Sequence, residues 1–285
     1  MKFFKYHALG NDYLVLDPSE LNGKLDGASI VKICHRNYGL GSDGILLGPL
    51  ESKTADFRLR IYNPDASEAE KSGNGLRIFC RYLFDQGKVE EEQTFSVETL
   101  GGIVEAVVFE GGKRIRVGMG KAIFVAKDIP VATDNPDEEV IRSSLKINDG
   151  SYEINCVSVG NPHCVIPLES VSSELAHQLG PIVENHDMFP NRINMQLLKV
   201  LDRNNIQIEI WERGAGYTLA SGTSSCAASV IAHKLGFCDN EITVHSPGGK
   251  ISIEIGDNYQ LTMTGPTTRV GEFELSNEAI LQELP

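Results

Sequence analysis

Residues 68–79 read "EAEKSGNGLRIF" and residues 217–228 read "YTLASGTSSCAA". In each, a serine stands before a Gly-polar pair that opens an apolar run with helical spacing. The landmarks around the two stretches recur in step. Ser72 lies fifteen positions before Gly87, and Ser221 lies fifteen before Gly236. Tyr62-Asn63 stand ten and nine positions before Ser72, and Trp211-Glu212 stand ten and nine before Ser221. Gly10-Asn11 and Gly160-Asn161 are 150 residues apart, and a strand and a glycine pair follow each helical run, Gly101-Gly102 and Gly248-Gly249. Four landmarks in one order, three at a period of about 149–150 residues and the glycine pair at 147, mark an internal duplication. The chain reads as two copies of one mixed β unit, each wrapped round a helix.

Between the landmarks, short runs rich in β-branched and aromatic residues read as strands. In the first half these are 13–17, 57–62, 94–99, 102–109 and 113–119. In the second they are 154–159, 163–168, 194–200, 206–211, 241–246 and 250–255. The runs 75–87 and 224–236 have helical spacing and end at a glycine suited to a C-cap. The Pro- and Asp-rich stretch 125–147 reads as a surface crossing between the halves.

Composition narrows the possibilities. The 285 residues, 41% hydrophobic and 23% charged, suffice for one large domain or two ordinary ones with a sizeable core. A net charge of −13 argues against non-specific nucleic-acid binding, which needs a positive field. It leaves room for an anionic small molecule in a locally positive pocket. No apolar run approaches the ~20 residues of a membrane span, and the N-terminus lacks a signal peptide's apolar stretch. Six cysteines are scattered without zinc or CxxC spacing, so they read as reduced core residues and the expected location is cytoplasmic.

A strand followed by a small-polar-Gly turn and a helix aims several unpaired backbone N–H groups at one point, which favours an anion there. Read singly, each turn is an ordinary helix cap with serine in the capping role. Read as a duplicated pair, the turns bring two hydroxyls and two sets of donors to a shared cleft. A racemase needs that arrangement: one group takes an α-proton while another returns one from the opposite face. Glu212-Arg213, after the apolar strand "IQIEIW", offers an Arg for a second carboxylate and a Glu for an ammonium group. A solvated strand end is the plainer account of that pair, and turn formation the plainer account of each asparagine.

These motifs resemble the diaminopimelate epimerase family nearly end to end. "YHALGNDYLVLD", "RNYGLGSDGILL" (36–47), "YNPDASEAEKSGNG", "VSVGNPHCV" (157–165), "NRINMQ" (191–196), "WERGAGYTLASGTSSCAA", "SPGGKISIEI" and "MTGPTTRVGEFEL" (263–275) follow in family order. The resemblance implies an α/β (α+β) fold of two pseudo-symmetric, barrel-like mixed β domains, each round a central helix. The domains would be 1–119 plus 264–285, and 120–263. It implies a cofactor-independent, metal-free epimerase converting LL- to meso-diaminopimelate in lysine and cell-wall synthesis, with a small amino acid as partner and homodimerisation possible. By motif position, Asn11, Asn63, Asn161, Asn194, Glu212 and Arg213 would hold the non-reacting head of the substrate. Gly73, Asn74, Gly222 and Thr223 would receive the reacting carboxylate.

The departure falls on the chemistry. The family's two catalytic residues are cysteines, and here Ser72 and Ser221 take their places. A thiol has a reference pKa of about 8.5, which a helix N-terminus lowers further, whereas a serine hydroxyl needs a neighbouring base. Glu70 and Lys71 are candidates for that base at the first turn. At the second only Tyr217 is offered, where the family usually has Glu. Three readings stay open: a natural epimerase working with serines, a dehydratase or isomerase of the same fold, or an impaired amino-acid-binding homologue, including a chain whose cysteines have been replaced. The drift at Lys71 and Tyr217 favours natural divergence.

Overall fold

A computed structural model describes residues 1–21, 25–148 and 150–281. It separates into two units, Met1–Gly118 with the C-terminal stretch from Gly265, and Met119–Thr264.

The first unit contains β1 (Lys2–Ala8), β2 (Asn11–Leu16), α1 (Gly27–Cys34), β3 (Ile45–Leu50), β4 (Phe57–Tyr62), the two-residue β5 (Glu68–Ala69), α2 (Gly73–Asp85), β6 (Thr94–Thr99), β7 (Gly102–Phe109) and most of β8 (Arg114–Lys121). The second contains β9 (Ser143–Ile147), β10 (Gly150–Ser158), β11 (Pro162–Pro167), α3 (Ser173–Glu184), β12 (Asn194–Asp202), β13 (Asn205–Glu212), β14 (Gly216–Thr218), α4 (Gly222–Lys234), β15 (Glu241–Ser246), β16 (Gly249–Ile255) and most of β17 (Gln260–Pro266). The chain then returns to the first unit as β18 (Thr268–Glu274) and α5 (Asn277–Leu281).

The duplication holds strand by strand. In the first unit the sheet runs β18-β1-β2-β3-β4-β6-β7-β8, with β2–β3 and β4–β6 parallel and the other pairs antiparallel. In the second it runs β9-β10-β11-β12-β13-β15-β16-β17, with β11–β12 and β13–β15 parallel and the rest antiparallel. Each short strand, β5 or β14, pairs with the strand before it.

Each sheet wraps a thirteen-residue helix. α2 packs against β1, β2, β3 and β7, while α4 packs against β10–β13, β15 and β16. Most residues of both helices are buried, so neither shows the exposed polar face of a surface helix. The ends are set by the same devices. Ser72 and Ser221 are the N-caps, in extended backbone, and their hydroxyls accept from Gly75 N–H at 3.0 Å and Ser224 N–H at 3.4 Å. At the C-termini Gly87 (φ +65°) and Gly236 (φ +79°) take the left-handed conformation. The Lys88 N–H reaches Leu83 O and the Phe237 N–H reaches Ala232 O, closing a Schellman motif in each unit. The caps explain why both helices begin two residues before the expected 75 and 224: Gly73-Asn74 and Gly222-Thr223 carry no apolar periodicity, yet follow the cap directly.

The stretch 125–147 is not a surface crossing. Ala126, Ile129, Val131, Val140, Leu145 and Ile147 are buried in the core of the second unit, and the chain passes between units at Gly118-Met119. Proline and aspartate mark its turns, while the apolar residues between them face inward. α3 also escapes the periodic reading, because Gly180-Pro181 looks like a helix stop. Gly180 is needed there: a Cβ would lie 2.4 Å from the Trp211 ring. All six cysteines are buried, and no disulfide joins them. Among the described residues no helix is long and apolar enough to cross a membrane.

Candidate active site

Five of the residues singled out in the sequence fall in the first unit and seven in the second. In the first, Asn11 opens β2 while Ser72, Gly73 and Asn74 form the mouth of α2. A polar chain running from the core to the surface joins Asn74 to Asn11. The fully buried Arg77 donates to Asn74 Oδ1 at 2.8 Å, Asn74 Nδ2 donates to Asn11 Oδ1 at 3.0 Å, and Asn11 Nδ2 donates to Asp43 at 2.8 Å. Arg36 then bridges Asp43 and Asp12, and Lys5 also pairs with Asp12. Burial resists ionisation of Asp12, but Arg36 and Lys5 outweigh it and hold its pKa below the ordinary carboxylate value. Asn63 stands apart from this chain, bonding Ser67 Oγ within its own loop at 2.9 Å.

Ser72 Oγ meets the Tyr13 hydroxyl at 3.3 Å as well as the Gly75 amide. Lys71 Nζ donates to Gly118 O at 3.3 Å, and Glu70 is exposed.

The second unit differs in one decisive respect. β13 ends at Glu212, and strand alternation puts Ile208, Ile210 and Glu212 on one face with Glu209 and Trp211 on the other. β14 pairs Ile210 with Thr218 and Trp211 with Tyr217. Thr218 therefore shares the Glu212 face, and Tyr217 the Trp211 face. Desolvation raises the Glu212 pKa above the ordinary carboxylate value, while interactions with the Ser221 and Thr218 hydroxyls oppose the rise. Thr218 Oγ1 is buried without a well-aligned hydrogen bond of its own.

Thus the group beside Ser221 is Glu212, which the sequence assigned to an ammonium group, and not Tyr217. The Tyr217 hydroxyl donates to Glu209 at 2.6 Å and its ring stacks on His177. The period-two pattern of "IQIEIW" contained the signal: residue 212 continues the inward-facing set.

The remaining residues of the second unit are tied to one another and to the backbone. Asn194 Nδ2 donates to Pro162 O at 2.8 Å, and its Oδ1 accepts the Arg213 N–H at 2.9 Å. Arg213 Nη1 donates to Asn191 O, leaving the rest of an exposed guanidinium free to meet a carboxylate. Asn161 lies against His163 Nε2 at 2.8 Å, and Gln196 lies against Nδ1 at 3.2 Å. His163 was not singled out beforehand. It is fully buried, and desolvation lowers its pKa from 6.5 to about 3, so the ring is neutral near pH 7. Gly222 and Thr223 are the first residues of α4, where backbone N–H groups have no partner within the helix. Gly73 and Asn74 hold the same place on α2.

Comparison with known proteins agrees with this architecture. The diaminopimelate epimerase family profile matches residues 3–125 and 155–270. The chain is 57% identical over 278 residues to diaminopimelate epimerase 2 of a Nostoc species, covering 98% of this chain and 96% of that one. It is 40% identical over 285 residues to diaminopimelate epimerase of Moorella thermoacetica, covering 96% and 100%. The crystal structure of a probable proline racemase from Agrobacterium radiobacter superimposes with a TM-score of 0.70 at 14% identity, covering 99% of this chain and 96% of that one, which shows a common fold. By its sequence, the chain belongs to the diaminopimelate epimerase family.

Proposed function

We propose that the chain is a cofactor-independent amino-acid epimerase acting on diaminopimelate or a close relative, with Ser72 and Ser221 as its two proton-handling groups. The observation that carries this reading is the Glu212 carboxyl beside the Ser221 hydroxyl, its pKa raised by burial. A serine needs a base before it can take a proton, and a carboxyl with an elevated pKa is better matched to that task than an ordinary one. In one direction Glu212 receives the Ser221 proton as the hydroxyl oxygen takes the substrate's α-proton, while Ser72 delivers a proton to the opposite face. Ser72 then regains a proton from solvent as Glu212 releases one, so no net proton is gained or lost, and the reverse direction retraces these steps.

Gly73, Asn74, Gly222 and Thr223 would supply backbone N–H groups to the reacting carboxylate, where charge builds as the α-carbon loses its proton. Asn11, Asn63, Asn161, Asn194 and Arg213 would hold the other end of the substrate. Glu212 would then work on the proton rather than only on the distal ammonium group. The reading calls on no metal or pyridoxal group.

Purified protein given LL-diaminopimelate should produce the meso isomer, resolved by chiral chromatography. Ser72→Ala, Ser221→Ala and Glu212→Gln should each depress the conversion. Unchanged conversion in both serine variants would remove the hydroxyls from the chemistry.

A further inference from the structure

The turn that carries Arg213 is the hairpin between β13 and β14, closed by the Ala215 N–H bond to Glu212 O at 3.1 Å. A buried carboxylate holds it from outside the hairpin. Glu184, the last residue of α3, is 6% exposed and receives three donors from three segments. Oε1 accepts from Gly214 N–H at 2.9 Å and from Arg192 Nη1 at 3.0 Å, and Oε2 accepts from Trp211 Nε1 at 2.7 Å. Gly214 follows Arg213 directly, and Arg192 lies two residues before Asn194, which accepts the Arg213 N–H. α3 grips the same strand end twice more: Gly180 gives the Trp211 ring its seat, and His177 meets that ring edge-on at a centroid distance of 5.9 Å. A carboxylate this enclosed is tolerable only because it is multiply hydrogen-bonded, and losing it leaves the Gly214 and Trp211 N–H groups without their acceptor.

We infer that Glu184 is a positioning residue for the substrate site: through Gly214 and Trp211 it fixes the turn that presents Arg213 and, less strongly, Glu212. The difference between the two follows from the fold. Glu212 is also paired with Gly216 in the sheet, whereas Arg213 has only side-chain and turn contacts. The inference rests on the function proposed above in what it says of substrate, but not in what it says of the turn.

Glu184→Gln keeps the shape while replacing one acceptor oxygen by a donor, and Glu184→Ala removes both. In both variants the Gly214 amide should exchange with solvent at least about tenfold faster than in the parent, while amides of β12 keep their protection. The indole N–H resonance of Trp211, the only tryptophan in the chain, should move. KM for diaminopimelate should rise about tenfold with kcat falling less, a division that a general loss of stability would not produce. Unchanged Gly214 exchange in a folded Glu184→Ala protein overturns the inference, as does unchanged KM in an active one. If the parent protein fails to turn over diaminopimelate, the function proposed above falls, and the Gly214 exchange alone decides the role of Glu184.

Discussion

The two units share a strand order, a pair of caps and a helix length, yet differ at corresponding points around their serines. At the end of β4 the first unit has Asn63, and at the end of β13 the second has Glu212. Two residues beyond the hairpin asparagine the first has Tyr13 and the second His163. Ser72 keeps company with a phenolic hydroxyl at 3.3 Å, whereas Ser221 has a carboxyl of raised pKa. Duplication copied the scaffold, and divergence made the two mouths chemically unequal. The central helices differ as well. α2 fills its sheet with Leu76, Ile78, Phe79, Tyr82 and Leu83, while α4 buries the smaller Ala227, Ala228, Ser229 and Ala232 beside Val230 and Ile231.

The largest expected effect concerns the serines. If both stand where thiols would serve better, Ser72→Cys together with Ser221→Cys should raise kcat by roughly 10²–10⁴-fold, the usual span of general acid–base catalysis. Steady-state kinetics on diaminopimelate would measure it. A smaller gain from Ser221→Cys alone than from Ser72→Cys alone would sharpen the contrast, because Ser221 already has a base. Next in size is the packing difference: Phe79→Ala should cost about 3–5 kcal/mol in denaturant unfolding. Its counterpart test, Ala228→Leu, should cost about 1–3 kcal/mol through overpacking. Equal tolerance of added bulk in both helices would break the distinction.

Two effects depend on pH. Glu212 must be ionised to act as a base, and its pKa is raised, so activity should climb with pH through a region above the ordinary carboxylate range. Glu212→Gln should abolish that limb in a kcat/KM profile, and a profile unchanged by the substitution would free Ser221 from any dependence on Glu212. His163 acts on stability in the same direction, through a pKa shifted the other way. Its folded pKa of about 3 lies below the unfolded value of 6.5, so the unfolded chain binds the proton first. Stability from this site is complete above pH 6.5 and drains away as pH falls toward 3, by about 2 kcal/mol at pH 5. His163→Gln should flatten that part of the curve in thermal melts, and nothing in the first unit's Tyr13 should mimic it.

Much of this was legible in the sequence for physical reasons. The duplication could be seen because caps and C-terminal glycines are local devices, fixed by a few residues at set spacing. Strands such as 57–62 and 241–246 were legible from β-branched alternation alone. α3 was hidden because Gly180-Pro181 answers to a tertiary demand, the Trp211 ring, and not to helix propensity. The core role of 125–147 was hidden because its apolar residues are spaced irregularly between turns. At the site, motif position named Asn11 and Asn74, which are hydrogen-bonded, and Asn194 and Arg213, which are too, while Asn63 stands apart from them. The base beside Ser221 was not legible in this way, because it depends on which face of β13 meets the α4 mouth. Glu184, far along the chain from both turns, carried no local sign of its three bonds.

The central claim is that two hydroxyls exchange protons with one α-carbon, each from its own side. Incubating LL-diaminopimelate with the protein in D2O and following the α-positions by NMR and mass spectrometry tests it most directly. The account predicts that meso product carries one solvent deuterium at the inverted carbon while early recovered substrate stays unlabelled. Deuterium entering the LL isomer without inversion, or inverted product retaining its original proton, would contradict it.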